Sequence, residues 1–253
     1  MFDAPGQPYT ERTTKPATPP PVNAFARKAL AALDELEIRR VGDEDREALM
    51  RFRYDCYRAA GHVGPCESRR IEDDYDDAPG VMRFALVHGG RVVSSVRLNF
   101  VDRTQRRSMS VSTFPDVLHP MLDMGFTVID PTRFTIDPSV SRDLPALPYL
   151  TLRVVVMAAT HFGSDYTLSL IRPAHAAFYK RIFGAAELAD ARECSNVSFP
   201  VCLLATDMEL CLAQMCRKYP FFHAMPEECE TLFGPASPTT RTTSATARTA
   251  LGV

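Results

Sequence analysis

The run Ile129-Asp130-Pro131-Thr132-Arg133-Phe134-Thr135-Ile136 sets a carboxylate and a guanidinium three residues apart inside an apolar, β-branched stretch. A half-buried aspartate can accept a proton, or hold an ammonium until the ammonium loses one. An arginine can keep that aspartate ionised or grip a carboxylate with two nitrogens. The pair marks either a strand face that lines a cleft or an exposed ion pair of small energetic worth. Two further sets are of the same kind. Arg53 and Tyr57 stand one helical turn apart, and Asp73-Asp74-Tyr75-Asp76-Asp77 is too dense in like charge to pack unless cations such as Arg53 and Arg97 answer it.

The elements that must hold these groups follow from periodicity. Ala24 to Arg39 has helical spacing and ends in a strand-like Glu37-Ile38-Arg39-Arg40-Val41; Asp43 is placed to cap a second helix that runs through Tyr57 and ends near Gly61. Met82–His88 and Arg91–Phe100 alternate on either side of Gly89-Gly90, the signature of a hairpin. Phe126–Ile136 reads as a third strand broken by Pro131, where a bulge would splay the sheet. Then come a nearly all-apolar helix, Leu147–Phe162, a strand, Tyr166–Ile171, a short helix, Ala174–Phe183, a strand, Val197–Leu204, and a helix, Met208–Lys218. This order predicts an α/β (α+β) fold with a mixed sheet and helices on both faces.

Composition narrows the classes. The 253 residues are 45% hydrophobic and 24% charged, enough for one sizeable core. We expect one domain over residues 25–235, a disordered tail over 1–24, which holds six prolines, and a second disordered tail over 236–253, rich in Thr, Ser and Ala. A net charge of −2 gives no global basic field, so nucleic acid is not expected as a partner. The seven cysteines include no CxxC pair and read as reduced thiols. Cys216, His223 and Cys229 fit none of the usual zinc frames, and no metal is expected. No secretory h-region opens the chain and the longest apolar runs are too short to cross a bilayer, which predicts a cytoplasmic protein with at most transient membrane contact.

Ala176-Ala177-Phe178-Tyr179-Lys180-Arg181-Ile182-Phe183-Gly184, in that element order, resembles the N-acyltransferase (GNAT) fold, in which a helix bearing FY and a glycine turn packs beside the acyl-donor cleft. Arg53 and Tyr57, the Asp73–Asp76 cluster, Arg97 after the hairpin, and Asp130 with Arg133-Phe134 are similar in kind, order and spacing to the acyl-homoserine lactone (autoinducer) synthases over roughly residues 50–200. The chain departs from that pattern in having no Trp, with Val63 near its place, and Asp130 in place of Glu. The long insertion Asp102–Met124 and the Leu147-Pro148-Tyr149-Leu150-Thr151-Leu152-Arg153 helix start look more like the long-chain N-acyl amino acid synthases, the sister group it resembles more. The glycine-rich loop that holds a coenzyme A pyrophosphate is replaced by Arg142-Asp143-Leu144-Pro145.

That resemblance implies a sheet splayed at a bulge, no bound cofactor, and transfer of a fatty acyl group from the phosphopantetheine arm of acyl carrier protein, as co-substrate and partner, to an amino acid's amine. Aminolysis needs a neutral amine, and an α-amino group of pKa ~8 is largely protonated at neutral pH, which gives Asp130 the role of proton acceptor and Arg133 that of its partner or of the carboxylate contact. A network of Arg53, Asp73, Asp76 and Arg97 would stiffen the loop over the amine, Asp73 and Asp76 being the members at motif spacing. Tyr179 stands where a tyrosine can protonate the departing thiolate, or is a core aromatic; His175, at a helix start, is a capping or packing residue or a site member. Phe134, Leu150, Leu152, Val155, Val156, Met157, Phe162 and Phe199 would line the acyl slot or simply the core. Arg103, Arg106 and Arg107, or Lys180 with Arg181, could dock an acidic carrier protein. A lactone-forming synthase and a non-catalytic acyl-lipid-binding protein of the same fold are the alternatives.

Overall fold

The structure is a computed structural model that describes residues 23–235 apart from 196 and 198; the C-terminal tail and all but the last two residues of the N-terminal tail lie outside it. Asn23 is the first described residue. Its side chain accepts the Ala26 N–H at 2.8 Å and caps α1 (Ala24–Asp34). There follow β1 (Leu36–Arg40), α2 (Arg46–Ala59), β2 (Val81–His88), β3 (Arg91–Val101), α3 (Met109–Thr113), α4 (Pro115–Asp123), β4 (Val128–Ile136), α5 (Leu147–Phe162), β5 (Tyr166–Ile171), α6 (Ala176–Phe183), β6 (Ala186–Arg192), β7 (Val201–Asp207), α7 (Met208–Lys218) and α8 (Pro226–Phe233).

The seven strands form one sheet in the order β1-β2-β3-β4-β5-β7-β6, antiparallel except between β4 and β5. Helices α1, α5, α6, α7 and α8 pack on one face around Phe84, Leu98, Ile129 and Leu150; α3 and α4 cover the other around Phe114, Leu118, Val128 and Tyr166, with α2 beside them. Among the described residues no helix is long and apolar enough to cross a membrane.

Three details of the sequence reading change. The second helix starts at Arg46 rather than at Asp43, whose side chain stays free for Arg83. The insertion at residues 102–124 carries two helices, α3 and α4, whose apolar residues join the second core cluster. The chain after α6 holds an edge strand, β6, half-exposed and rich in charge, which is what a solvent-facing edge tolerates and what erases a hydrophobic alternation; the strand after it therefore begins at Val201.

The break in β4 also lies elsewhere than expected. Pro131 sits in unbroken register opposite Leu98, and the extra residue comes at Arg133-Phe134, which oppose Val96 alone between the pairs Arg97↔Thr132 and Ser95↔Thr135. Pro131 is tolerated because β4 and β5 pair only at Val128↔Tyr166 and Ile129↔Thr167 and then part. The proline's missing N–H falls where there is no neighbouring strand to receive it.

Candidate active site

Where β4 and β5 separate, a cavity of about 960 Å³ passes into the sheet. Pro131, Thr132, Arg133 and Phe134 form one side and Ser169, Leu170, Ile171 and Arg172 the other; Tyr57 at the end of α2 and the loop 62–73 close over it. The lining divides by chemistry. Tyr57, Arg70, Glu72, Asp73 and Arg133 supply a charged and polar cluster, Met109, Leu152, Leu170, Val197, Phe199 and Val201 supply apolar wall, and Ser169, Arg172, His175 and Ser195 add further polar groups.

The charged cluster rests on a buried ion network. Asp73 and Asp76 bracket a short 3₁₀ turn as a capping box: Asp73 accepts the Tyr75 N–H at 2.9 Å and Asp76 accepts the Asp73 N–H at 3.2 Å. Each acid has lone pairs left for arginine. Arg53 Nη1 reaches Asp76 at 2.9 Å; Arg97 Nη1 lies 2.5 Å from Asp73 and 3.0 Å from Asp76, and its Nε donates to Thr132 Oγ1 at 2.9 Å. Arg133 donates to Asp73 through Nε at 3.1 Å and Nη2 at 2.5 Å. Five of the charged residues singled out by spacing are thus brought together, but in two layers. Arg53, Asp76 and Arg97 are fully buried behind; Asp73 and Arg133 front the cavity. Arg83, which the sequence reading passed over as one of many strand residues, joins them by donating to the Asp76 carbonyl at 2.6 Å.

The bulge is what turns Arg133 toward this network. Thr132 and Arg133 are consecutive, and in a regular strand their side chains would leave on opposite faces. Arg133 instead takes φ 51°, the left-handed region, at a strain of roughly 1 kcal/mol for a side chain of this kind, and both residues face the same acidic loop.

Electrostatics follow the layering. Burial opposes ionisation of Asp73, but the hydrogen bonds and charges of Arg97 and Arg133 outweigh it and hold its carboxyl below the usual range. Arg133 is desolvated too, yet the Tyr57 hydroxyl and Asp73 raise it on balance. Burial pushes the Arg53 guanidinium down, against Asp76; its Nε and Nη2 have no hydrogen-bond partner among the described residues.

Asp130 does not reach the cavity. It is fully buried on the face covered by α3, where it accepts the Ser110 N–H at 3.1 Å and the Ser110 hydroxyl at 2.7 Å; burial lifts its pKa, and the serine hydrogen bonds act the other way. The strand's alternation puts it two residues from Thr132 on the same face, one step too deep. Val156 is likewise absent from the cavity wall, with Leu150, Val155, Met157 and Phe162. The end of α5 leads directly into the start of β5, where the sheet is still closed, so only its first turns, at Leu152, meet the gap. Phe134, Leu152 and Phe199 line the cavity, as does Tyr179, whose hydroxyl burial pushes up to about 12, and His175. Spacing gave no sign of the mouth, where Arg172 lies 3.8 Å over the Phe199 ring and 3.3 Å from the His62 ring nitrogens. The expected docking cations are partly engaged: Arg106 pairs with Asp123 at 2.6 Å and Lys180 with Glu187 at 2.6 Å.

With this geometry in hand, comparisons with known proteins are informative. The family model described as N-acyl amino acid synthase FeeM matches residues 48–207. The solved structure of FeeM, an N-acyl amino acid synthase from uncultured soil microbes, is 18% identical and superposes with a TM-score of 0.60 over 72% of this chain and 96% of that one. MesI, a CoA-dependent acyl-homoserine lactone synthase, is 21% identical with a TM-score of 0.51 over 73% and 95%. TofI, solved with an inhibitor and MTA, is 16% identical with a TM-score of 0.53 over 77% and 100%. At these identities the solved structures speak to fold alone. No curated protein sequence matches.

Proposed function

The chain belongs to the FeeM family of N-acyl amino acid synthases, and from that premise we propose that it moves a long-chain fatty acyl group from the phosphopantetheine thiol of acyl carrier protein to the amino group of a free amino acid. One observation carries the reading: a single cavity offers both signs of charge, at Arg133 and Asp73, together with apolar wall from Leu152, Leu170, Val197 and Phe199. A zwitterionic amino acid matches the charged pair, its carboxylate against Arg133 and its ammonium against Asp73, whose depressed pKa makes it a steady counter-ion. The acyl chain takes the apolar wall.

In the transfer the amine, once it has lost its proton to solvent, attacks the thioester carbonyl; the C–N bond forms and the C–S bond breaks. Tyr179 gives its hydroxyl proton to the leaving thiolate, and the proton that the nitrogen sheds on becoming an amide restores the tyrosine through solvent. Like an ordinary tyrosine it is protonated at neutral pH, and burial makes it the weaker acid; its place in the cavity wall, not its acidity, supports the role.

The start of α5 supports a donor without a nucleotide. Leu147 N–H is bonded to the Leu144 carbonyl at 3.0 Å, Pro148 has no N–H, and Tyr149 N–H is bonded to the Ala146 carbonyl at 3.0 Å, so the first turn has no free donor to hold a pyrophosphate. No glycine lies in residues 137–146 to let backbone approach one.

The test is the purified protein with an acylated carrier protein and a mixture of free amino acids, followed by thiol release and mass spectrometry. The expected product is an N-acyl amino acid, with acyl-CoA a poor donor. An acyl-homoserine lactone formed from S-adenosylmethionine would replace this reading with the autoinducer one, and absence of thiol release with any acceptor would leave a lipid-binding protein.

A further inference from the structure

Helix α3 is tied to the strand that carries the substrate contacts. Ser110, at its second position, gives both its backbone N–H and its hydroxyl to Asp130, and the Ser108 hydroxyl also acts on that carboxylate while capping Val111 N–H at 3.3 Å. Between the two serines stands Met109, buried in the second apolar cluster and lining the cavity. At the far end of α3, Thr113 Oγ1 donates to the Met109 carbonyl at 2.9 Å and lies 3.5 Å from Cys194 Sγ, next to the segment that brings Val197 and Phe199 to the same wall.

A fully buried carboxylate is tolerated only where donors meet it, so the position of Asp130 on β4 dictates where the start of α3 must lie. Tyr179, the Arg133–Asp73 pair and Met109 all line the one cavity, and Met109 is the apolar side chain that α3 contributes to its wall. Resting on the acyl-transfer reading above, we propose that the chain ends against Met109, which sets its length, and that Asp130 is a positioning residue that fixes Met109 through Ser110.

The experiment compares saturated acyl donors from octanoyl to octadecanoyl, taking kcat/KM for each, in wild type and in Met109→Ala, Ser110→Ala and Asp130→Asn. Met109→Ala should move the optimum longer by about two to four carbons, the length of the side chain removed. Ser110→Ala and Asp130→Asn should broaden the length profile, the change falling in KM, with the pH dependence of kcat keeping the wild-type shape. A length profile unmoved in Met109→Ala and Ser110→Ala would overturn the proposal. So would an Asp130→Asn variant that loses kcat equally at every length together with the acid limb of its pH profile, the behaviour of a general base. Should Asp130→Asn not fold, Met109→Ala and Ser110→Ala decide. Displacement of a fluorescent fatty acid by the same length series reads the acyl site without turnover: if wild type transfers no acyl group, the function fails while a shifted displacement profile in Met109→Ala still upholds the wall, and an unshifted one removes it.

Discussion

Two buried arginine sites lie on opposite faces of the sheet and are built to different rules. On α5, Arg153 is almost wholly buried and every nitrogen is spent: Nε on the Phe221 carbonyl at 2.6 Å, Nη1 on Glu228 at 2.5 Å, Nη2 on Glu228 at 2.6 Å and on the His223 carbonyl at 3.1 Å. One cation meets one anion, and the segment before α8 is stapled to the core. At the cavity Arg53, Arg97 and Arg133 divide two carboxylates, Asp73 and Asp76, and a fourth guanidinium, Arg83, is shared between Asp76 and Asp43. Burying an unmatched cation is unfavourable for stability alone. The surplus positive charge, facing the cavity through Arg133, is what a site for a carboxylate requires. Matched charge fastens chain to chain; unmatched charge waits for a ligand.

Cutting the staple should have the largest effect, and on stability only. Arg153→Met leaves two carbonyls and Glu228 without their cation and should lower stability by about 3 kcal/mol, read as a shift in the urea midpoint, while kcat/KM of the folded protein stays near wild type. Changing the receptor should do the converse. Arg133→Lys keeps the charge but loses the two-nitrogen fork and should lower kcat/KM for the amino acid about a hundredfold, worth about 2.7 kcal/mol, with little change in midpoint. If Arg133→Lys instead lost stability as Arg153→Met does, the cavity network would be a second staple. The smallest effect is in acid. Since the folded pKa of Asp73 is depressed, the folded state binds fewer protons there than the unfolded chain. Its contribution is whole above the unfolded value of about 3.9 and drains as pH falls through the lower folded one. Asp130, with a raised pKa, has the opposite sign. Asp73→Asn should therefore flatten the acid-side fall in midpoint, and an unaltered slope would assign the coupling elsewhere.

Much of this was readable where local rules suffice. Glycine pairs make hairpins by backbone freedom, and Gly89 and Gly90 both take positive φ between β2 and β3. Helix α5 ends at Gly163, also at positive φ, and its apolar face fixed both its limits. Edge strand β6 was hidden because its charges, suited to solvent, carry no period, and α3 and α4 because short helices punctuated by Pro115 and Pro120 look like a loop.

The sequence by itself determined the charged set and part of its wiring. Asp73 and Asp76, three apart, cap their own turn and must stay near each other whatever the fold, and arginines at 53, 97 and 133 are the cations available to them. Tertiary structure decided which members face the ligand. Side chains on a strand alternate with a period of two, so a single extra residue reverses every assignment beyond it. The bulge at Arg133, and not at Pro131, brought that arginine round to Asp73, sixty positions away in the chain, and left Asp130 beneath α3, where the serines of a helix that no period announced were waiting for it.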